Sequence, residues 1–167
     1  MSLLGSAREK NIIFQSDGPI PNVAADRSLI YEVLCNLIEN SIKYSGDSTE
    51  IKITTTSTKD GLVETLVTDK GVGIPENVLP TLFERFHRNH RNRSQISGTG
   101  LGLYLAKVII DAHDGDIWVK SKENYGTTVG FTLKPYDSIA QNGNSMDNNA
   151  MVRTNLGWIK NHNMFRR

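Results

Sequence analysis

The sequence predicts an α/β fold: a two-layer sandwich whose mixed, mostly antiparallel sheet carries three helices on one face. Three observations predict it. Two regions read as hairpins of alternating strands about short turns, "EIKITTTST" with "LVETLVTD" and "GDIWVKS" with "TTVGFTLK". Apolar residues recur at helical spacing in the stretches around them. An isolated apolar run, "NIIFQS", stands before the first helical stretch and ends in a Gly-Pro turn, as a separate strand would.

Composition narrows the class. A chain of 167 residues suits one domain with a tail, and 38% hydrophobic content is enough for a core. A net charge of +1 gives no general case for binding nucleic acid or an anionic membrane. The single cysteine, Cys35, excludes an intrachain disulfide and suits a reducing compartment. No apolar run reaches membrane-span length. The opening "MSLLGS" lacks the basic start and apolar core of a signal peptide, so residues 1–8 read as an expression scar or linker remnant.

In chain order, residues 11–16 form the first strand. Asp26 is placed to cap a helix over residues 27–44. The first hairpin follows, turning at Asp60 and Gly61. "GVGIP" breaks the pattern, and a helix is expected over residues 76–86, interrupted by or starting near Pro80. Residues 87–99 are polar and basic and read as a mobile loop. A helix is expected over residues 101–113, and the second hairpin turns at Asn124, Tyr125 and Gly126. After Pro135 the chain becomes rich in asparagine, so residues 136–167 read as a tail or linker, in which "LGWIKNHNMF" could dock as a short helix.

Four blocks carry chemistry. On the first helix, Asn36, Asn40 and Lys43 fall within about 60° of one another at about 100° per residue. Ile30, Val33, Leu34, Leu37, Ile38 and Ser41 lie opposite. An amide oxygen suits a hard cation such as Mg²⁺, and a lysine one turn later suits phosphate oxygens. A solvated helix face with incidental polar residues would read the same way.

In "VTDKGVGIP", Asp69 at a strand end can accept hydrogen bonds from an exocyclic amine. Gly71 and Gly73 would let the backbone approach a flat ligand, and Ile74 offers an apolar wall. An ordinary strand-to-helix turn has the same composition. "LFERFHRNHRNRS" supplies Phe83 and Phe86 as anchors and a basic cluster that could close over a polyphosphate or simply be solvated. In "ISGTGLGLYLAK", Gly98, Thr99, Gly100 and Gly102 precede a helix start, whose N–H groups and dipole favour anions. None of the four histidines makes a metal-ligand spacing with another His or Cys.

In the order N-L-I-E-N-S-I-K-Y, D-K-G-V-G-I-P, L-F-E-R-F and G-T-G-L-G-L, these blocks resemble the ATP-binding catalytic domain of sensor histidine kinases. That domain has the Bergerat ATP-binding fold, in a superfamily with DNA gyrase, mismatch-repair MutL and heat-shock chaperone ATPases. The resemblance spans roughly residues 11–133, which places the catalytic domain at residues 9–135. It departs at Lys70, where the family more often has Asn, Asp or Glu.

The resemblance implies ATP and Mg²⁺ as ligands, held between helices and lid. Asn40 would coordinate Mg²⁺ with Asn36 in support, Lys43 would bind phosphate, and Tyr44 would line the adenine or ribose side. Asp69 would hold the adenine amine, Gly71, Gly73 and Ile74 would shape the base pocket, and Thr127 would add a hydroxyl. Arg88 would reach the γ-phosphate. Gly98, Thr99, Gly100, Leu101, Gly102 and Leu103 would form the lid hinge and the phosphate-facing helix start.

Hydrolysing members place a glutamate one helical turn before the Mg²⁺ asparagine; here that position is Asn36, and an amide is no general base at neutral pH. Glu39 points about 100° away from Asn40. The reading is therefore phosphoryl transfer to a histidine on a separate dimerisation domain, with a response regulator downstream. The chain holds no H-E-[LFI]-[RK]-[TN]-P-like helix, and His87, His90, His113 and His162 are poorly placed as acceptors. A cytoplasmic location without direct membrane or nucleic-acid contact is expected, whether or not the parent kinase is membrane-anchored. A stand-alone ATPase and a nucleotide-sensing module are the alternatives.

Overall fold

A computed structural model describes residues 10–46, 49–85 and 100–138, together with the backbone of 151–154 and 157–160. The elements are β1 (Asn11–Asp17), α1 (Arg27–Tyr44), β2 (Glu50–Ser57), β3 (Val63–Asp69), a 3-10 helix (Glu76–Thr81), α2 (Gly102–Ala112), β4 (Ile117–Lys122), β5 (Gly126–Leu133), β6 (Met151–Thr154) and β7 (Gly157–Lys160).

Local chemistry explains where α1 begins. The Asp26 carboxylate accepts from the N–H groups of Ser28 and Leu29 at 2.8 and 3.1 Å, satisfying two donors that a helix start leaves unpaired. At the same junction the Asp26 N–H donates to His113 Nε2 at 3.0 Å, so the end of α2 is tied to the start of α1. Helix α1 buries Val33, Leu37, Ser41 and Ile42, while Ile30, Leu34 and Ile38 pack partly buried beside them.

Five strands form one sheet in the order β1-β2-β3-β5-β4. β1 runs parallel to β2, and the remaining neighbours are antiparallel, which makes the sheet mixed. The first hairpin turns at Gly61, whose φ of 79° lies in the left-handed region open to glycine. Alternate residues Ile51, Ile53, Val63 and Val67 point into the core, as do Val129, Phe131 and Leu133 of β5. Helices α1 and α2 cover that face, bringing Val33, Leu37, Ala106, Ile109 and Ile110 onto it. Each large side chain so buried contributes about 1.5–3 kcal/mol relative to exposure.

The layer is closed at its margin. The segment before α1 bridges to the exit of β5 through Val23 and Pro135, and Tyr136 N–H donates to the Asn22 carbonyl at 2.8 Å. These bonds tie the segment before α1 to the residues that follow β5.

Two expectations change. Residues 76–85 do not form an α-helix. The chain makes a 3-10 helix over Glu76–Thr81 with Pro80 inside it, followed by turns. Proline has no N–H to donate and its ring clashes with the carbonyl four residues back, so tighter three-residue bonds such as Val78 N–H to the Pro75 carbonyl take over. Of the three helices expected, two are α-helices and one is a 3-10 helix. In the asparagine-rich segment, β6 and β7 pair antiparallel, so the "LGWIK" stretch is strand at Gly157–Lys160 rather than a short helix. The loop at 87–99 lies outside the described residues.

Candidate nucleotide-binding site

Asp69 ends β3 and is 7% exposed. Its Oδ1 accepts the Gly71 N–H at 2.8 Å and its Oδ2 accepts the Ser41 hydroxyl at 3.2 Å. Burial pushes its pKa above the ordinary aspartate value; the hydrogen bonds from Gly71, Ser41 and the Thr127 backbone oppose that shift. The carboxylate therefore joins α1, β3 and β5 at one point. Ser41 lies on the apolar face of α1, and a hydroxyl in an apolar stripe is itself a signal that a buried polar partner exists.

The loop after Asp69 is stitched to its neighbours by backbone. Val72 N–H donates to the Tyr44 carbonyl at 3.1 Å, and Asn124 N–H donates to the Val72 carbonyl at 2.7 Å. A Cβ on Gly71 would lie 2.3 Å from the Tyr44 carbonyl oxygen, and one on Gly73 would lie 2.0 Å from that of Lys122. Gly73 also has φ 66°. Both glycines thus let the loop lie close against the chain's own backbone. Tyr44 is exposed and Ile74 half-buried at the same end of the site.

Ser121 was not singled out from sequence, yet it sits at the centre of this region. Its hydroxyl accepts the Ile74 N–H, donates to the Gly126 carbonyl and meets the Thr127 hydroxyl, each at 2.8 Å. The signal lay in strand period: Ile117, Val119 and Ser121 share the inward face of β4, which makes Ser121 a polar residue in an apolar series.

The polar strip of α1 faces a different element. Asn36 and Asn40 are half-buried. A Cβ on Gly102, the first residue of α2, would come within 3.0 Å of Asn36 Oδ1, so this glycine lets the two helices close. Among the described residues, Asn36 Nδ2 is buried without a hydrogen-bond partner. Lys43 Nζ lies 3.7 Å from Glu39 Oε2, a half-exposed pair of small energetic weight. Gly100 has φ 71°, and Leu101 at the N-cap of α2 makes no side-chain capping bond. Among the described residues no side chain caps this helix start, and its N–H groups and dipole suit an anion.

Leu103, in the first turn of α2, packs against the core instead. Arg88, Gly98 and Thr99 lie outside the described residues. Among the described residues, no group of three or more His, Cys, Asp or Glu could hold a metal ion, and no helix is long and apolar enough to cross a membrane.

A family model described as histidine kinase-, DNA gyrase B-, and HSP90-like ATPase matches residues 25–137. The chain belongs to this family. Within it, the relatives are sensor kinases. The adaptive-response sensory kinase SasA of Microcystis aeruginosa is 40% identical over 131 residues, covering 77% of this chain and 34% of that protein. The sensor histidine kinase WalK of Bacillus subtilis is 40% identical over 116 residues, covering 68% of this chain and 19% of that protein. This histidine kinase-type domain thus spans 34% and 19% of the length of these two relatives. The catalytic domain of histidine kinase ThkA, solved in a nucleotide-free form, superposes with a TM-score of 0.66 at 34% identity, covering 78% of this chain and 84% of that one. The ATPase domain of histidine kinases has the Bergerat fold, and the sheet order and helix placement found here are that fold.

Proposed function

We propose that this domain binds Mg·ATP and donates the γ-phosphoryl group to a histidine on a separate dimerisation domain of its parent kinase, with a response regulator as the later acceptor. The observation that carries this reading is Asn36. It occupies the place one helical turn before Asn40 where hydrolysing members hold a glutamate; its Oδ1 lies toward Gly102 at the start of α2, and among the described residues its buried Nδ2 has no hydrogen-bond partner. An amide cannot activate water at neutral pH, whereas its N–H can hold a phosphate oxygen. Phosphoryl transfer by positioning and charge neutralisation suits such a site.

The other roles follow from the donor set. Asn40 would offer a neutral oxygen to Mg²⁺; with no carboxylate cluster among the described residues, phosphate oxygens and water would complete the shell, as this ion prefers. When bound, Mg²⁺ supplies positive charge that neutralises the phosphates. Lys43 would release Glu39 to reach a phosphate, and Gly100, Leu101 and Gly102 would present the helix start. Arg88, Gly98 and Thr99 keep the lid-side roles that the resemblance implies. Asp69 would accept the adenine amine, beside Tyr44, Ile74 and Thr127. Gly71 and Gly73 would shape this pocket indirectly, by letting the loop lie against Tyr44 and Lys122.

The test is radiolabelled ATP with this chain alone and with a histidine-bearing dimerisation domain added. The expected result is Mg·ATP binding, no stable phosphohistidine on the chain alone, and label on the added domain. Robust self-labelling would overturn the separate-acceptor reading. Steady phosphate release abolished by Asn40→Ala would establish the ATPase instead, and failure to bind Mg·ATP would leave a module without this activity.

A further inference from the structure

Proton counting around Ser121 leads beyond a general adenine pocket. A serine hydroxyl has one proton to give and two lone pairs to receive with. The Gly126 carbonyl can only accept, so the bond at 2.8 Å takes the Ser121 proton. The Ile74 N–H can only donate, so it occupies one lone pair, also at 2.8 Å. The remaining contact, 2.8 Å to the Thr127 hydroxyl, then has Thr127 as donor. Thr127 has spent its only proton and keeps acceptor capacity alone.

Thr127 stands opposite Asp69 in the β3–β5 ladder. Asp69 already accepts from Gly71 and Ser41, and its carboxylate oxygens also call for donors. Two adjacent side chains on neighbouring strands therefore both demand N–H groups from whatever lies against them. A 6-amino purine supplies two such hydrogens on one nitrogen. A 6-oxo purine presents a carbonyl oxygen there and would leave acceptor facing acceptor in a desolvated place.

We propose that Ser121 is a positioning residue for base discrimination: by consuming the Thr127 proton, it makes the site select a 6-amino over a 6-oxo purine nucleotide. The proposal rests on the reading of this chain as an ATP-binding domain. Ser121 touches no base itself; it acts through Thr127 and, by holding Ile74 and Gly126, keeps the loop and hairpin in register around it.

The experiment is titration of the full 167-residue chain with Mg·ATP and Mg·ITP by calorimetry. Wild type should favour ATP by at least about a hundredfold, because a site built for an N–H rejects the analogue lacking it. Ser121→Ala frees the Thr127 proton to turn toward a 6-oxo group, and the ATP/ITP ratio should fall about tenfold, the effect of roughly one hydrogen bond. Ser121→Thr keeps the hydroxyl and should retain the ratio. In a Thr127→Val background the ratio should already be low, and adding Ser121→Ala should not lower it further, since the two act as one unit. Equal loss of both nucleotides in Ser121→Ala, with the ratio intact, would reduce Ser121 to a structural residue and overturn the proposal. Should Ser121→Ala fail to fold, an unchanged ratio in Thr127→Val would overturn it equally. Wild type that binds ATP without discriminating against ITP would refute this inference alone, whereas wild type that binds neither would refute the ATP reading beneath it.

Discussion

Around Asp69 the polar groups are closed on one another. The carboxylate, the Ser41 and Ser121 hydroxyls, and the N–H groups of Gly71 and Ile74 all have partners within the chain. On the polar strip of α1, Asn36 instead keeps a buried amide donor without a partner among the described residues, and Lys43 rests in a half-exposed pair with Glu39. The base end is preorganised by bonds that already exist, so its residues should matter to folding as well as binding. The phosphate end holds donors in reserve, so its residues should matter mainly to binding.

Substitution at the closed end should have the largest effect. Gly73→Ala would set a methyl group 2.0 Å from the Lys122 carbonyl oxygen in a backbone with φ 66°, and relief requires moving the loop or the hairpin. A loss of about 3 kcal/mol or more in unfolding free energy is expected by chemical denaturation. A loss below about 1 kcal/mol would show that this end yields more than its bonding suggests.

Lys43→Ala comes next and acts at the open end. It should weaken Mg·ATP binding by about 1.5–3 kcal/mol, the worth of a charge-assisted hydrogen bond, while unfolding changes by less than about 1 kcal/mol. Unchanged affinity would remove Lys43 from the phosphate site. A large stability loss would erase the contrast between the ends.

The smallest effect concerns pH. Because burial raises the Asp69 pKa in the folded protein, the folded state binds a proton more readily than the unfolded chain between the ordinary and the raised value. This group's contribution to stability is therefore full below the ordinary value and declines as pH rises through the raised one. Nucleotide-free protein should show that decline in thermal melts, and Asp69→Asn should flatten it. A slope that persists in the variant would assign it to other carboxylates.

What could be read in advance follows how local the cause is. α1 came out with both boundaries as expected because its signals lie within or beside it: Asp26 at the cap, a consistent apolar face, and a chain that turns away after Tyr44. Both hairpins carried their own turn residues. The 3-10 helix was misjudged even though Pro80 was in view, because three-residue bonding leaves the same residues helical with a different period. Asn36, Asn40 and Lys43 were legible as a strip because helix geometry alone places them together.

The amino-acid sequence by itself determined most of the elements, their polar and apolar faces and the family, since period, cap and motif order act over a few residues. Only the tertiary structure decided who meets whom. Ser41 and Asp69 are 28 residues apart, Ile74 and Ser121 are 47 apart, and such pairs form only when separate strands and helices close on one core. It also decided how closely the backbone approaches Gly71 and Gly73. Backbone packs against backbone there, and no count of neighbouring residues announces how near a distant carbonyl will come.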